Sequence, residues 1–546
     1  MPVAWRLRPA QAISAAARPG PAVSGLLGSY LRVHLWAALV VLAIAGFSCK
    51  MFYPSWQTES VVWGVVVIIA GALVAFFAHD EFDAYSPATF VGVSIALLYG
   101  TGLIVAGAGS GFAALPPIIE SGLLYYPRAG LLTILSLLGF VVGYQNGFVV
   151  RKAQTSTLFC WHAPEPAIRR LFWVLMISGA WVYPVLLISN AAYQTTNELR
   201  SPLFYSALAW FEGGIVVSTG LALARYMQLR RLHDPNVAFW RVAALASFCG
   251  TAMFGFVSGS KAAVLLPICA AGMAWNYAYR RIPRWLVPWM IVIGMVFGLA
   301  MFAVVQQYRD VQVRNASALH QSLPVAARDM ALALKELRYE NAREITTGAI
   351  DYAATRLANI SVTANILKYQ DTGGSPKWGE TYLRFFYALI PRIVWPNKPG
   401  ITTGLEIAVE LGYTGADTDV SRLGQAMSTT SVAITLVGEA VYNFAWFGPL
   451  AMILMGALYR TIYEYFRTAC RLDTPIAIGI YAFVWFEIVF NGQETNAAAL
   501  VSGTLKYGIV LLIVFKLLGI QRARMGQPAP LTVRPVRAGA RTMRTP

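Results

Sequence analysis

The chain has 546 residues, of which 57% are hydrophobic and only 13% charged, and its mean hydropathy is +0.55. A soluble domain carries roughly a quarter charged residues, so a water-soluble globular class is excluded. The formal charge of +17 sits in short Arg and Lys clusters between apolar runs and not on one basic face, which excludes a nucleic-acid-binding reading and marks the charge as a topology signal.

In chain order, residues 1–32 form a basic N-terminus with Arg6, Arg8 and Arg18, and the first apolar run follows Arg32. That run lacks a small-residue cleavage pattern and is soon followed by another, so it reads as a retained helix and not as a signal peptide. Windows of about 20 apolar residues, the length that crosses a hydrocarbon core, recur from there. They lie at 33–53, 61–79, 87–108, 129–150, 171–189, 204–224, 239–257, 262–278, 285–305, 440–459, 475–491 and 498–518. The expected fold is an all-α polytopic membrane protein of about twelve transmembrane helices. Nine helices fill 33–305 and three fill 436–518, with the long segment 306–435 between them.

A cytoplasmic N-terminus places Arg169/Arg170, Arg225/Arg230/Arg231, Arg280/Arg281/Arg284 and Arg460/Arg467/Arg471 all inside, with the basic tail 519–546. One turn, from His79 to Asp83, is acidic where this topology expects cations. Acidic residues count little in the rule, so the orientation stands: both termini cytoplasmic, in a bacterial inner membrane. Residues 306–435 then form one large, mostly helical periplasmic loop. Its part 318–372 is rich in Ala, Leu, Arg and Glu and reads as helical. Gly373-Gly374-Ser375-Pro376 breaks that run, an aromatic stretch from Glu380 to Arg392 suits a helix along the membrane surface, and Trp395 to Gly400 forms a rigid turn.

The five cysteines show no close pairing and the five histidines are scattered, so neither disulfides nor a metal site is expected, and no phosphate-cradling loop appears. Three constellations can carry chemistry. Lys261, after Ser258-Gly259-Ser260, sits at a membrane boundary, where an ammonium either grips a lipid-linked diphosphate or snorkels at a helix end. The loop cations Arg309, Arg314, Arg384, Arg392, Lys398 and Arg422 are either substrate contacts or solvated surface; Arg384 and Arg392 lie in the aromatic stretch, where a guanidinium meets lipid phosphates and rings. Glu439, in Gly438-Glu439-Ala440, is a carboxylate entering an apolar helix, suited either to general-base work or to a structural hydrogen bond. Glu487, Asn491 and Glu494 form a weaker polar group at the same level.

Gly259-Ser260-Lys261, Ile390-Pro391-Arg392 with Trp395 to Pro399, and Thr429-Thr430-Ser431 ahead of Gly438-Glu439-Ala440 together resemble the O-antigen or exopolysaccharide repeat-unit polymerases of the Wzy type, over residues 35–518. Lys261 departs from the arginine that the family often carries there. The resemblance implies a metal-independent, cofactor-free membrane glycosyltransferase. It would move a growing glycan from undecaprenyl diphosphate onto an incoming lipid-linked repeat unit, with membrane lipids and a chain-length regulator as partners. Glu439 and Arg392 would be catalytic, and Lys261, Arg309, Arg314, Arg384, Lys398 and Arg422 would bind substrate. An O-antigen ligase uses the same donor and remains an alternative. A transporter or flippase of lipid-linked oligosaccharide would place charges within its spans.

Overall fold

The computed structural model describes residues 34–48, 55–79, 82–108, 122–146, 158–182, 213–257, 261–279, 281–294, 323–339, 359–390, 403–411, 434–471, 475–493 and 495–522, with isolated residues at 150, 153, 156, 211, 304, 307–308, 311 and 394–395. The first helices are α1 (His34–Ser48), α2 (Trp56–Phe77), α3 (Pro87–Ala108), α4 (Leu123–Tyr144), α5 (Glu165–Ala180), α6 (Gly213–Leu232), α7 (Val237–Val257) and α8 (Lys261–Ala274). Within the long segment lie α9 (Leu323–Tyr339), α10 (Ile360–Asp371), α11 (Glu380–Leu389) and α12 (Gly404–Glu410). The chain then returns to long helices in α13 (Leu436–Cys470), α14 (Pro475–Phe490) and α15 (Ala497–Leu517). One short antiparallel pair is formed by β1 (Trp161–His162) with β2 (Gln521–Arg522).

Helices α2, α3, α4, α13 and α15 are long and apolar enough to cross a membrane; α1, Val237–Met253 and α14 are shorter apolar helices. The 22 residues of α2 rise about 33 Å, against a hydrocarbon core of about 30 Å. Their boundaries follow local chemistry. Ser55 and Ser86 cap α2 and α3 by accepting from the N–H groups of Thr58 and Thr89, and Pro87 occupies the first turn of α3, where its missing N–H costs nothing. Two expected loops are instead helical. Helix α6 runs on through Arg225, Arg230 and Arg231, and α13 through Arg460 and Arg467, because arginine is a good helix former and a helix need not stop where the lipid does.

Helices consecutive in the chain run up and down in turn, while α2, α4 and α13, which pack against one another, run the same way, so the bundle has two distinct ends. The C-terminal ends of α2, α4, α6 and α13 meet the N-terminal ends of α3 and α5 at an arginine-rich end, through His79–Glu464, Arg460–Tyr144 and Arg225–Glu165 contacts. The other, loop end gathers the N-termini of α4, α13 and α15 with α10, α11 and α12. Trp36 bonds Gln145 at 3.0 Å, and β2 pairs with β1 beside α5, so both the first and the last described elements sit at the arginine-rich end. The α4–α13 pair is packed backbone to backbone: a Cβ on Gly143 would overlap the Ile453 carbonyl, and one on Gly456 the Phe140 carbonyl. Gly139 and Gly143 give α4 the small-xxx-small spacing that lets membrane helices approach this closely.

Helix α13 is interrupted at Ala445, a non-glycine residue with φ of 48° and ψ of −123°. The break separates Leu436–Phe444, which is turned into the loop-end structure, from the straight shaft Gly448–Arg471.

Candidate functional site

Thr435 starts α13 by accepting the Gly438 N–H at 3.0 Å, and its hydroxyl also meets the Tyr99 hydroxyl of α3. This cap places Glu439 in the first helical turn, where an anion complements the helix dipole. Glu439 is 0% exposed. One carboxylate oxygen accepts from the Thr381 hydroxyl of α11 at 2.7 Å, and the other from the Ala497 N–H, the first residue of α15, at 2.7 Å. A buried carboxyl needs partners for its oxygens, and here two donors, one of them at a second helix N-terminus, supply them. Asn443, one turn on, donates to Thr381 Oγ1 at 2.6 Å and accepts from Gly379 N–H at 3.1 Å. Gly379 has φ of 90°, a conformation that favours glycine, and it turns the chain into α11. Three helices therefore meet at one carboxylate.

Above this buried junction lies a partly exposed ledge of charges. Lys377 Nζ stands 2.5 Å from Glu410 and 3.5 Å from Glu406 and lies over the Tyr442 ring. The Tyr442 hydroxyl donates to the other Glu410 oxygen at 2.7 Å. Arg384 Nη2 bridges Glu380 at 2.8 Å and Glu406 at 2.7 Å. Burial alone would lower both cations. The Glu410 and Glu406 carboxylates outweigh it at Lys377, and Glu380 and Glu406 at Arg384, so each is held above its ordinary value and stays charged. Glu406 and Glu410 are 30% and 21% exposed, so oxygen lone pairs remain open to a ligand. Carboxylates of this kind accept hydrogen bonds from hydroxyl groups, and a cation placed beside them can be lent to an incoming anion.

Of the residues singled out from sequence, the structure brings Glu439 and Arg384 into this one region, joined through Thr381 and α11. Lys261 is the first residue of α8, with its side chain outside the described residues; Arg309, Arg314, Arg392, Lys398 and Arg422 lie wholly outside them, as do Thr429, Thr430, Ser431 and Glu494. Glu487 sits on a π-helical turn of α14, beside Gly503 of α15. Lys377, Glu406 and Glu410 were not singled out as a group. Their only sequence signal is the Glu406-x-x-x-Glu410 spacing, which puts both carboxylates on one face of a short helix.

A second polar cluster occupies the arginine-rich end, level with the α2–α3 turn. His79 Nε2 is 3.0 Å from Glu464, which also pairs with Arg460 at 2.9 Å and Arg467 at 3.4 Å. Asp83 accepts from the hydroxyls of Tyr277 at 2.8 Å and Tyr463 at 2.9 Å, from the Asn276 amide, and from the Tyr85 N–H. The acidic turn that runs against the topology rule is therefore a packing hub that ties the end of α2 to α13 and to the π-helical turn Trp275–Tyr279 that follows α8. Among the described residues no group of three or more His, Cys, Asp or Glu side chains is arranged to hold a metal ion. No family model, curated protein or solved structure matches this chain.

Proposed function

We propose that the protein is a polysaccharide repeat-unit polymerase of the inner membrane, acting at the loop end of the bundle. It transfers a glycan from undecaprenyl diphosphate to a sugar hydroxyl of a lipid-linked repeat unit. The observation that carries this reading is the ledge of Lys377, Arg384, Glu406 and Glu410 over the buried Glu439 junction. It offers carboxylates to an acceptor hydroxyl and cations to a departing diphosphate in one place at the mouth of membrane-spanning helices. The arginines at the opposite end support a cytoplasmic placement for that end, and so a periplasmic one for the ledge.

The diphosphate is already a good leaving group, so such a site supplies orientation and charge stabilisation. In this reading Glu439, closed to solvent, positions α11 and α15, and Glu406 or Glu410 meets the acceptor hydroxyl. Arg392, Lys261, Arg309, Arg314, Lys398 and Arg422 are the further cations proposed for the two lipid-linked substrates.

A transporter of lipid-linked oligosaccharide draws support from the buried charges His79, Arg460, Glu464 and Arg467. Transport sites lie near the bilayer midplane, however, and this cluster sits past the end of the roughly 33 Å helix α2. The deciding experiment is the polysaccharide profile of a deletion strain. A polymerase leaves one capped repeat unit and no long chains; loss of all capped material points to a ligase or flippase. Alkaline phosphatase fused after residue 350 should be active, and fused after residue 282 inactive.

A further inference from the structure

Helix α11 is amphipathic the wrong way round for a helix in water. Its polar side faces protein: Thr381 is buried against Glu439, and the Arg384 side chain, only 11% exposed, is folded onto Glu406. Its outward side is apolar, with Leu383 53% and Phe386 62% exposed and Tyr387 beside them. Trp395 packs on Tyr387 at 5.9 Å, and Trp378, just before the helix, is also exposed. Glu380, at the start of the helix, is the one charged residue of α11 that is more than a third exposed.

The surface is continuous with an apolar face already fixed by the fold. Tyr382 of α11 stacks on Phe444 of α13 at 6.0 Å. Just beyond it, Trp446, Phe447, Leu450 and Leu454 stand exposed along the membrane-spanning shaft of α13. Polar groups inward and apolar groups outward is the arrangement of that shaft too, with Arg460 and Glu464 buried while Leu450 and Leu454 face out. With ten residues, α11 is about 15 Å long, half of what crosses a hydrocarbon core, so it cannot span.

We infer that α11, packed against α15, seats its Leu383–Phe386–Tyr387 face in the boundary between lipid headgroups and acyl chains, with Trp378 and Trp395 as interfacial anchors. Thr381 and Glu439 bolt it to α13 and α15, so the Arg384 and Lys377 ledge is held at headgroup depth. The inference concerns the bilayer alone and does not depend on the reaction proposed above.

The test is spin labelling of the full chain in nanodiscs of phosphatidylethanolamine and phosphatidylglycerol, with its native cysteines replaced and thermal unfolding matched to wild type. Labels at Leu383→Cys and Phe386→Cys should collide with dissolved oxygen several-fold more than with a water-soluble nickel chelate, and a label at Glu380→Cys should show the preference reversed or lost. Preference for the nickel chelate at 383 and 386 overturns the inference, as does exclusion of both quenchers, the mark of a protein partner. A photoreactive benzoylphenylalanine at position 386, with the cysteines untouched, gives an independent reading. Crosslinking to lipid supports the seat, and crosslinking to a second protein chain overturns it.

Discussion

Two polar regions sit at opposite ends of helix α13, and they are built differently. At the arginine-rich end His79, Arg460, Glu464 and Arg467 are all buried and face one another. At the loop end Glu439, Thr381 and Asn443 are buried, and of the charges above them Arg384 is 11% exposed while Lys377, Glu406 and Glu410 are a fifth to a third exposed. Charges buried against one another hold helices together. Groups that keep open lone pairs can take a ligand. The comparison separates a clamp from a site by exposure, although both are made of the same residue types.

The largest effect should come from breaking the clamp. Glu464→Ala leaves Arg460, Arg467 and His79 facing one another without their shared anion, which should cost about 3–5 kcal/mol. The expected outcome is little folded protein in membranes, read by fluorescence-detected size exclusion; wild-type yield would show that the cluster is no clamp. Glu439→Gln comes next, since its amide must oppose either the Ala497 N–H or a Thr381 hydroxyl already committed to Asn443, at about 1–3 kcal/mol. Its melting temperature should fall while some protein survives. Ala445→Gly is the smallest change. It removes the strain of a positive φ against glycine's entropic cost, for a gain of about 1 kcal/mol, visible as a modest rise in melting temperature.

The sequence made helix existence plain and helix ends obscure. The apolar window 87–108 matched the bounds of α3, which Ser86 caps, and the glycine pair at 373–374 announced the end of α10 because it fixes backbone geometry locally. The reach of α6 to Leu232 stayed hidden, because charged residues past the lipid boundary look the same in sequence whether helical or not. The site was half legible. Glu439 stood out as a carboxylate in an apolar run. The ledge did not, because Lys377 meets Glu410 across 33 residues of intervening chain, a distance no local pattern encodes. Asp83 was set aside for a different reason: topology rules weigh cations and are blind to an acid whose partners are tyrosines on other helices.

The central claim is that the loop-end charges serve function and not stability, and one paired measurement on Glu406→Gln/Glu410→Gln tests it. These pairs are partly exposed and Arg384 keeps Glu380, so each should be worth about 1 kcal/mol and the double variant should melt within a few degrees of wild type. Losing charge-assisted contacts to an acceptor hydroxyl, about 1.5–3 kcal/mol, should slow chain extension roughly ten- to hundredfold. Expressed at wild-type level in the deletion strain, the variant should therefore give a normal melting curve and a gel depleted of long chains. Full-length polymer with an unchanged melt, or loss of polymer only in proportion to lost folded protein, would contradict the account.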